Sequence, residues 1–193
     1  MYALDPVANA LTSPEAPGAT LLDAAAALTW LQARSGHPLR APIGVIGPRE
    51  EDDARNLVAE AVGRKLAEWG FTVLCGGRGG VMRAAAKGAT GAGGLTIGLL
   101  PEPDPDFANP YIAVPIATGI GEARNAIIAC AAAVLIVIGD SYGTLSEVAL
   151  GLRFGKTVLG LCDPPGVEGV KRLGDVEELA DALAARLLGG TGN

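Results

Sequence analysis

Five short runs in this chain are apolar at nearly every position: residues 42–47 (PIGVIG), 71–75 (FTVLC), 95–100 (LTIGLL), 133–138 (AVLIVI) and 157–161 (TVLGL). A strand with one polar side can lie at a surface, but a strand without one has to be covered on both faces. Segments of helical pattern separate these runs, over about 52–69, from the glycines after Cys75 to about 90, over 121–131 and 143–154, and 175–188 closes the series. Such an alternation is built from βαβ units around a parallel sheet. The expectation is an α/β fold, a Rossmann-like three-layer domain with a mainly parallel sheet, to which 111–116 (YIAVPI) adds a shorter strand. Aromatic residues supply only 4% of the chain against 49% hydrophobic, so the core has to be assembled from Ala, Val, Leu and Ile.

The domain is expected over residues 41–190. Residues 1–40 precede it as a tail and one short helix: 1–19 carries three prolines and little periodicity, and LLDAAAALTWLQ at 21–32 has helical composition. The longest apolar stretch, 126–138, falls short of the roughly 20 residues that cross a bilayer, and no signal-peptide pattern is visible at the N-terminus. Net charge is −6 (15 basic, 21 acidic), which argues against a broad nucleic-acid surface built on Lys and Arg. Three scattered cysteines and the lone His37 give no zinc pattern and fit a reduced compartment. The chain is thus expected to be cytoplasmic, with no metal, membrane or nucleic acid as partner.

Parallel sheets of this kind bind ligands beyond the carboxyl ends of their strands. The loops that matter then begin at Gly47, Gly76, Pro101, Thr118 and Gly139. After Cys75 comes Gly76-Gly77-Arg78-Gly79-Gly80-Val81-Met82, a strand running through glycines into a helix. Glycine lets the backbone approach an anion, and a helix N-terminus offers free N–H groups and a positive dipole end. These seven residues are therefore candidate phosphate contacts, beside the plainer reading of a tight turn. Met82 stands where GxGxxG requires its last glycine, so no dinucleotide fingerprint is present.

Gly139-Asp140-Ser141-Tyr142-Gly143 has the GxSxG form of a hydrolase nucleophile elbow. That triad needs a histidine after the serine, and His37 lies upstream of the whole sheet. A better reading gives Gly143 and Thr144 to an anion at the helix start. Glu147 then has two readings, a helix-capping residue by its spacing from Thr144 or a reactive carboxylate in the cleft. In Thr118-Gly119-Ile120-Gly121-Glu122-Ala123-Arg124-Asn125, Thr118 is a candidate ligand contact. Arg124 opens a very apolar helix, where its guanidinium can meet a phosphate or Glu147, unless it is a surface residue bonded nearby. Residues 151–157 imitate a Walker A loop but lack its first glycine and follow a helix, so Gly155 is expected to end that helix.

GGRGGVM, LLPEPDPDFANPY, TGIGEARN and GDSYGTLSE in this order resemble the LONELY GUY (LOG)-type, "lysine decarboxylase-like" superfamily, and within it the DprA/Smf-related branch that includes molybdenum-cofactor carrier proteins. The resemblance spans about 43–162. It implies a Rossmann-like subunit that forms a homodimer or higher homo-oligomer. It further implies a small phosphorylated ligand, a nucleotide or a pterin, bound at the strand ends. In the phosphoribohydrolases of the superfamily the residues at Arg124 and Glu147 act on the N-glycosidic bond of a nucleoside 5′-monophosphate, with no cofactor required. Four positions depart from that pattern: Asp140 and Ser141 replace two glycines, Glu102 replaces a glycine, and Asn125 replaces a basic residue. The added carboxylates, at Asp140 and Glu102, oppose an anion unless they point away or are offset by Arg78. These departures favour a carrier-like binding protein, with the molybdenum cofactor as bound ligand. The alternatives are the phosphoribohydrolase and a non-catalytic structural or interaction protein.

Overall fold

The computed structural model describes residues 1–189, so residue 190 of the expected domain lies outside the described residues. Seven strands form one sheet in the order β10-β9-β8-β4-β5-β6-β7, every neighbouring pair parallel. They are β4 (Ile43–Ile46), β5 (Val73–Cys75), β6 (Thr96–Leu100), β7 (Val114–Ala117), β8 (Val134–Ile138), β9 (Thr157–Leu161) and β10 (Val170–Arg172). The chain steps outward from β4 to β7, then returns to the other side of β4 as β8. A crevice is thereby left at the carboxyl ends of β4 and β8, the switch point where such sheets hold ligands.

Helices cover both faces, giving a Rossmann-like three-layer α/β fold. On one side α1 (Ala24–Ala33), α2 (Asp53–Glu68), α3 (Val81–Gly91) and α6 (Glu178–Leu187) share an apolar cluster with Val134, Ile136 and Ile138 of β8. On the other, α4 (Arg124–Ala131) and α5 (Tyr142–Arg153) pack on Leu135 and Val137 of the same strand. Alternate residues of one strand therefore serve opposite cores, which is why β8 tolerates no polar residue. Among the described residues no helix is long and apolar enough to cross a membrane.

Small residues bring the layers close. A Cβ on Gly44 would meet Leu135 and Ala132, and α2 crosses α3 so tightly that one on Gly63 would run into the Ala85 carbonyl and one on Gly88 into that of Glu60. At the end of α5, Gly155 (φ 70°) donates to the Leu152 carbonyl and Lys156 to that of Gly151, a Schellman stop in place of any phosphate loop.

The N-terminal segment differs from expectation. In place of a loosely held tail, β1 (Tyr2–Asp5), β2 (Ala10–Thr12) and β3 (Thr20–Leu22) form an antiparallel sheet in the order β2-β1-β3. The Asp5 side chain accepts from the Val7 and Ala8 amides to make the first turn, and Trp30 of α1 donates to the Asn9 side chain at 2.9 Å. Ala24 and Leu28 of α1 belong to the main core, which ties this segment to the domain. Strands of three or four residues with mixed burial carry little period-2 signal, so sequence patterning passes over them.

The α2–α3 crossing gives a stability test. Gly63→Ala and Gly88→Ala each place a methyl group against backbone and are expected to lower unfolding free energy by about 1–3 kcal/mol. Gly91→Ala, whose Cβ would meet nothing within 4 Å, is expected to be neutral or stabilising by up to ~1 kcal/mol. Urea denaturation midpoints decide it, and equal midpoints for Gly63→Ala and wild type would refute the close crossing.

Candidate functional site

A cavity of about 570 Å3 opens at the carboxyl ends of the central strands. Its walls come from the loop after β4 (Gly47, Arg49, Glu50), the glycine loop after β5 (Arg78, Met82), Pro101, the start of α4 (Glu122, Arg124, Asn125) and the first two turns of α5 (Ser141 to Thr144, Ser146, Glu147). Of the residues singled out from sequence, Arg78, Met82, Arg124, Gly143, Thr144 and Glu147 meet here. Gly76, Gly77, Gly79, Gly80, Val81 and Thr118 are not among the lining residues.

Arg124 and Glu147 form the deepest feature. Arg124 Nη1 donates to Glu147 Oε1 at 3.1 Å, and the two residues are only 5% and 6% exposed. The guanidinium lies over Gly76, where an added Cβ would stand 2.5 Å from Nη2 and 2.8 Å from Nη1. Glycine at 76 is therefore needed to seat the arginine. Burial pushes the Glu147 carboxyl up to about 7 from 4.5; Arg124 pulls it down and Glu122 adds to the rise. Burial likewise pushes the neighbouring Cys75 thiol up to about 11, which keeps it protonated. Arg124 Nε and Asn125 Oδ1 are both buried and find no partner among the described residues. One donor and one acceptor are thus left unpaired on two residues that line the cavity.

The capping reading of Glu147 is not what forms. Ser141 is the N-cap of α5: its Oγ accepts from the Thr144 amide at 3.1 Å and lies 2.8 Å from Thr144 Oγ1. The serine of the apparent nucleophile elbow is thus a helix cap, and His37 is exposed on the segment after α1. Asn125 donates to Ser146 Oγ at 2.8 Å, and Ser146 donates to the Gly143 carbonyl at 2.7 Å, fastening α4 to α5. Tyr142 and Gly143 open α5, where amides have no intrahelical acceptor.

The glycine turn after β5 has a different job from the expected one. Its Gly80 amide donates to Glu51 Oε1 at 3.1 Å, Val81 to the Pro48 carbonyl at 3.1 Å, and Gly77 to Cys75 Sγ at 3.4 Å. A Cβ on Gly80 (φ 57°) would strike the Pro48 carbonyl, and one on Gly77 (φ 73°) would strike Leu100. These glycines let two loops cross, with the carboxylate of Glu51 at the α3 N-terminus. Thr118 is spent as well, donating through both N–H and Oγ1 to the Leu100 carbonyl. Of the added carboxylates, Glu102 is ion-paired with Arg78, as the sequence reading allowed, and Asp140 is exposed outside the cavity wall.

Sequence reasoning missed Arg49, Glu50, Glu51 and Ser146. The first three follow β4 within a charged run, REEDD at 49–53, whose place beside the switch-point strand was their only signal.

The SLOG cluster4 family model matches residues 40–184. An uncharacterized protein of Archaeoglobus fulgidus is 43% identical over 136 residues, 70% of this chain and 89% of its own. Among solved structures, the molybdenum cofactor binding protein of Rippkaea orientalis is 34% identical with a TM-score of 0.72, covering 76% of this chain and 98% of its own. The molybdenum cofactor carrier protein of Chlamydomonas reinhardtii is 36% identical with a TM-score of 0.70, covering 77% and 99%.

The buried acid makes a pH prediction. With a higher pKa folded than unfolded, Glu147 holds a proton in the native state that the unfolded chain has already released between pH 4.5 and about 7. Its contribution to stability is complete below pH 4.5 and is lost as pH rises through 7. Wild type is expected to lose stability relative to Glu147→Gln across that window, measured by urea unfolding; parallel profiles would contradict it.

Proposed function

Since the chain belongs to the SLOG cluster4 family, we propose that its cavity binds a phosphorylated heterocycle and that the protein is a molybdenum-cofactor carrier-like binding protein. The observation that carries this reading is the unmatched pair of buried polar atoms, Arg124 Nε and Asn125 Oδ1, on two residues that line a cavity at the switch point of the sheet. A buried donor and acceptor without partners cost free energy that a ligand bearing both an anion and ring N–H groups recovers. A volume of about 570 Å3 lies in the range of small-molecule sites and suits a bicyclic ring with a phosphate. Arg49, Arg78 and the free amides of Tyr142 and Gly143 offer donors for the phosphate. Likeness to the cofactor-binding proteins over nearly their whole length supports the pterin as ligand.

A second reading is favoured by Glu147. A carboxylate buried beside a guanidinium and titrating near neutrality is suited to stabilise the positive charge that builds on a ribose when its N-glycosidic bond breaks. On this reading Arg124 anchors the phosphate or the leaving base, and no cofactor takes part.

Equilibrium dialysis against the molybdenum cofactor separates the two. The carrier reading predicts saturable binding that Arg124→Ala weakens at least ~10-fold, and absence of binding to purified protein rejects it. The hydrolase reading predicts free base from a nucleoside 5′-monophosphate such as AMP, falling at least ~100-fold in Glu147→Gln. No base release from any 5′-monophosphate rejects that reading.

A further inference from the structure

Each arginine lining the cavity already has a glutamate beside it. Arg124 pairs with Glu147 at 3.1 Å, Arg49 with Glu50 at 3.5 Å, and Arg78 with Glu102. The three pairs differ in kind. Arg49 and Glu50 are sequence neighbours with side chains about two-thirds exposed, where an ion pair contributes little. Arg124 and Glu147 form the buried floor of the site. Arg78 and Glu102 join the loop after β5 to the loop after β6, with side chains 28% and 22% exposed. Only Arg78 of this last pair lines the cavity, so Glu102 holds it from outside the wall.

The backbone at Arg78 is held by Asn109, while its side chain has the Glu102 pair as its one polar contact among the described residues. Asn109, itself buried, donates from Nδ2 to the carbonyls of Gly77 at 3.1 Å and Arg78 at 2.9 Å, and its amide donates to Gly77 again. The backbone is thereby anchored, and the long side chain is the part left to pivot. Glu102 Oε2 is buried and has no partner among the described residues, so Arg78 satisfies only one of the two oxygens. A counter-ion that is itself half-satisfied is one that a better anion can displace.

Resting on the reading of the cavity as an anion-binding site, we propose that Glu102 sets the affinity of that site, as an internal counter-ion which a ligand's phosphate must displace from Arg78. Arg78 leaves Glu102 as it engages the ligand and returns when the ligand departs. The exchange keeps a phosphate monoester bound more weakly than a free arginine would hold it, and it speeds release. It also selects for charge, because a dianionic phosphate competes with a carboxylate better than a single carboxylate does.

The experiment measures AMP binding by titration calorimetry to wild type, Glu102→Gln, Glu102→Asp and the double variant Arg78→Ala/Glu102→Gln, at low and high salt, with Glu102→Ser in reserve should Gln disturb folding. Glu102→Gln is expected to bind about tenfold tighter and to lose more affinity on adding salt, because a freed guanidinium now meets the phosphate. Glu102→Asp restores wild-type behaviour, and the double variant loses the gain. Binding detectable only in Glu102→Gln supports the proposal equally. If wild type binds AMP and Glu102→Gln is no tighter, or if tightening persists without Arg78, the counter-ion role is overturned and the cavity reading stands. If none of the proteins binds AMP or inorganic phosphate, the anion site fails and the role of Glu102 falls with it.

Discussion

A guanidinium at the first turn of an apolar helix has to find an acceptor or leave the interior, and the site is organised around that requirement. Arg124 is seated over the bare Cα of Gly76 and paired through Nη1 with Glu147 across the gap between α4 and α5. Removing one partner would leave the other charge buried and alone, a far larger penalty than the pair itself is worth. Cys75 behind it, Asn125 beside it and Ser146 facing it are arranged around this contact. The switch point of the sheet supplies the space, and the ion pair forms its floor.

A pattern extends beyond that pair. Glu51 lies at the N-terminus of α3, Glu102 at Arg78 and Glu147 at Arg124. In each case a carboxylate of the chain stands where a ligand anion would otherwise be drawn. The α3 position is closed, with Asn56 and Arg83 also holding Glu51. The other two face or adjoin the cavity. Such a surface presents little net positive charge to solution, in keeping with a chain of net charge −6.

The sheet, its helices and the general position of the site are legible in the sequence because each rests on a local pattern. Strand β8 has no polar residue, and the loops at Gly47, Gly76, Pro101 and Gly139 begin where apolar runs stop. The partnership of Arg124 with Glu147 was readable from an arginine out of place on an apolar helix. The work of the glycines after Cys75 was not. Four glycines beside a helix start look the same whether an anion or another loop comes close, and the difference lies with Glu51, twenty-nine residues before Gly80. The N-terminal sheet and β10 escaped for a different reason: unlike the fully buried β4 and β5, they are short strands of mixed burial, which show neither an apolar run nor a period of two.

The crossing of α2 and α3 at Gly63 and Gly88 has a mechanical consequence. Backbone lies directly on backbone there, and the loop before each helix is bound to the other through Glu51, Pro48 and Gly80. The half of the crevice bearing Arg49 and the start of α3 is therefore a stiff anvil, with only small side chains beside the backbone contact to deform. The opposing jaw is built differently, because α4 and α5 meet there through side chains: the Arg124–Glu147 pair, the Asn125–Ser146 hydrogen bond and the apolar contacts of Ile128, Ala129 and Val148.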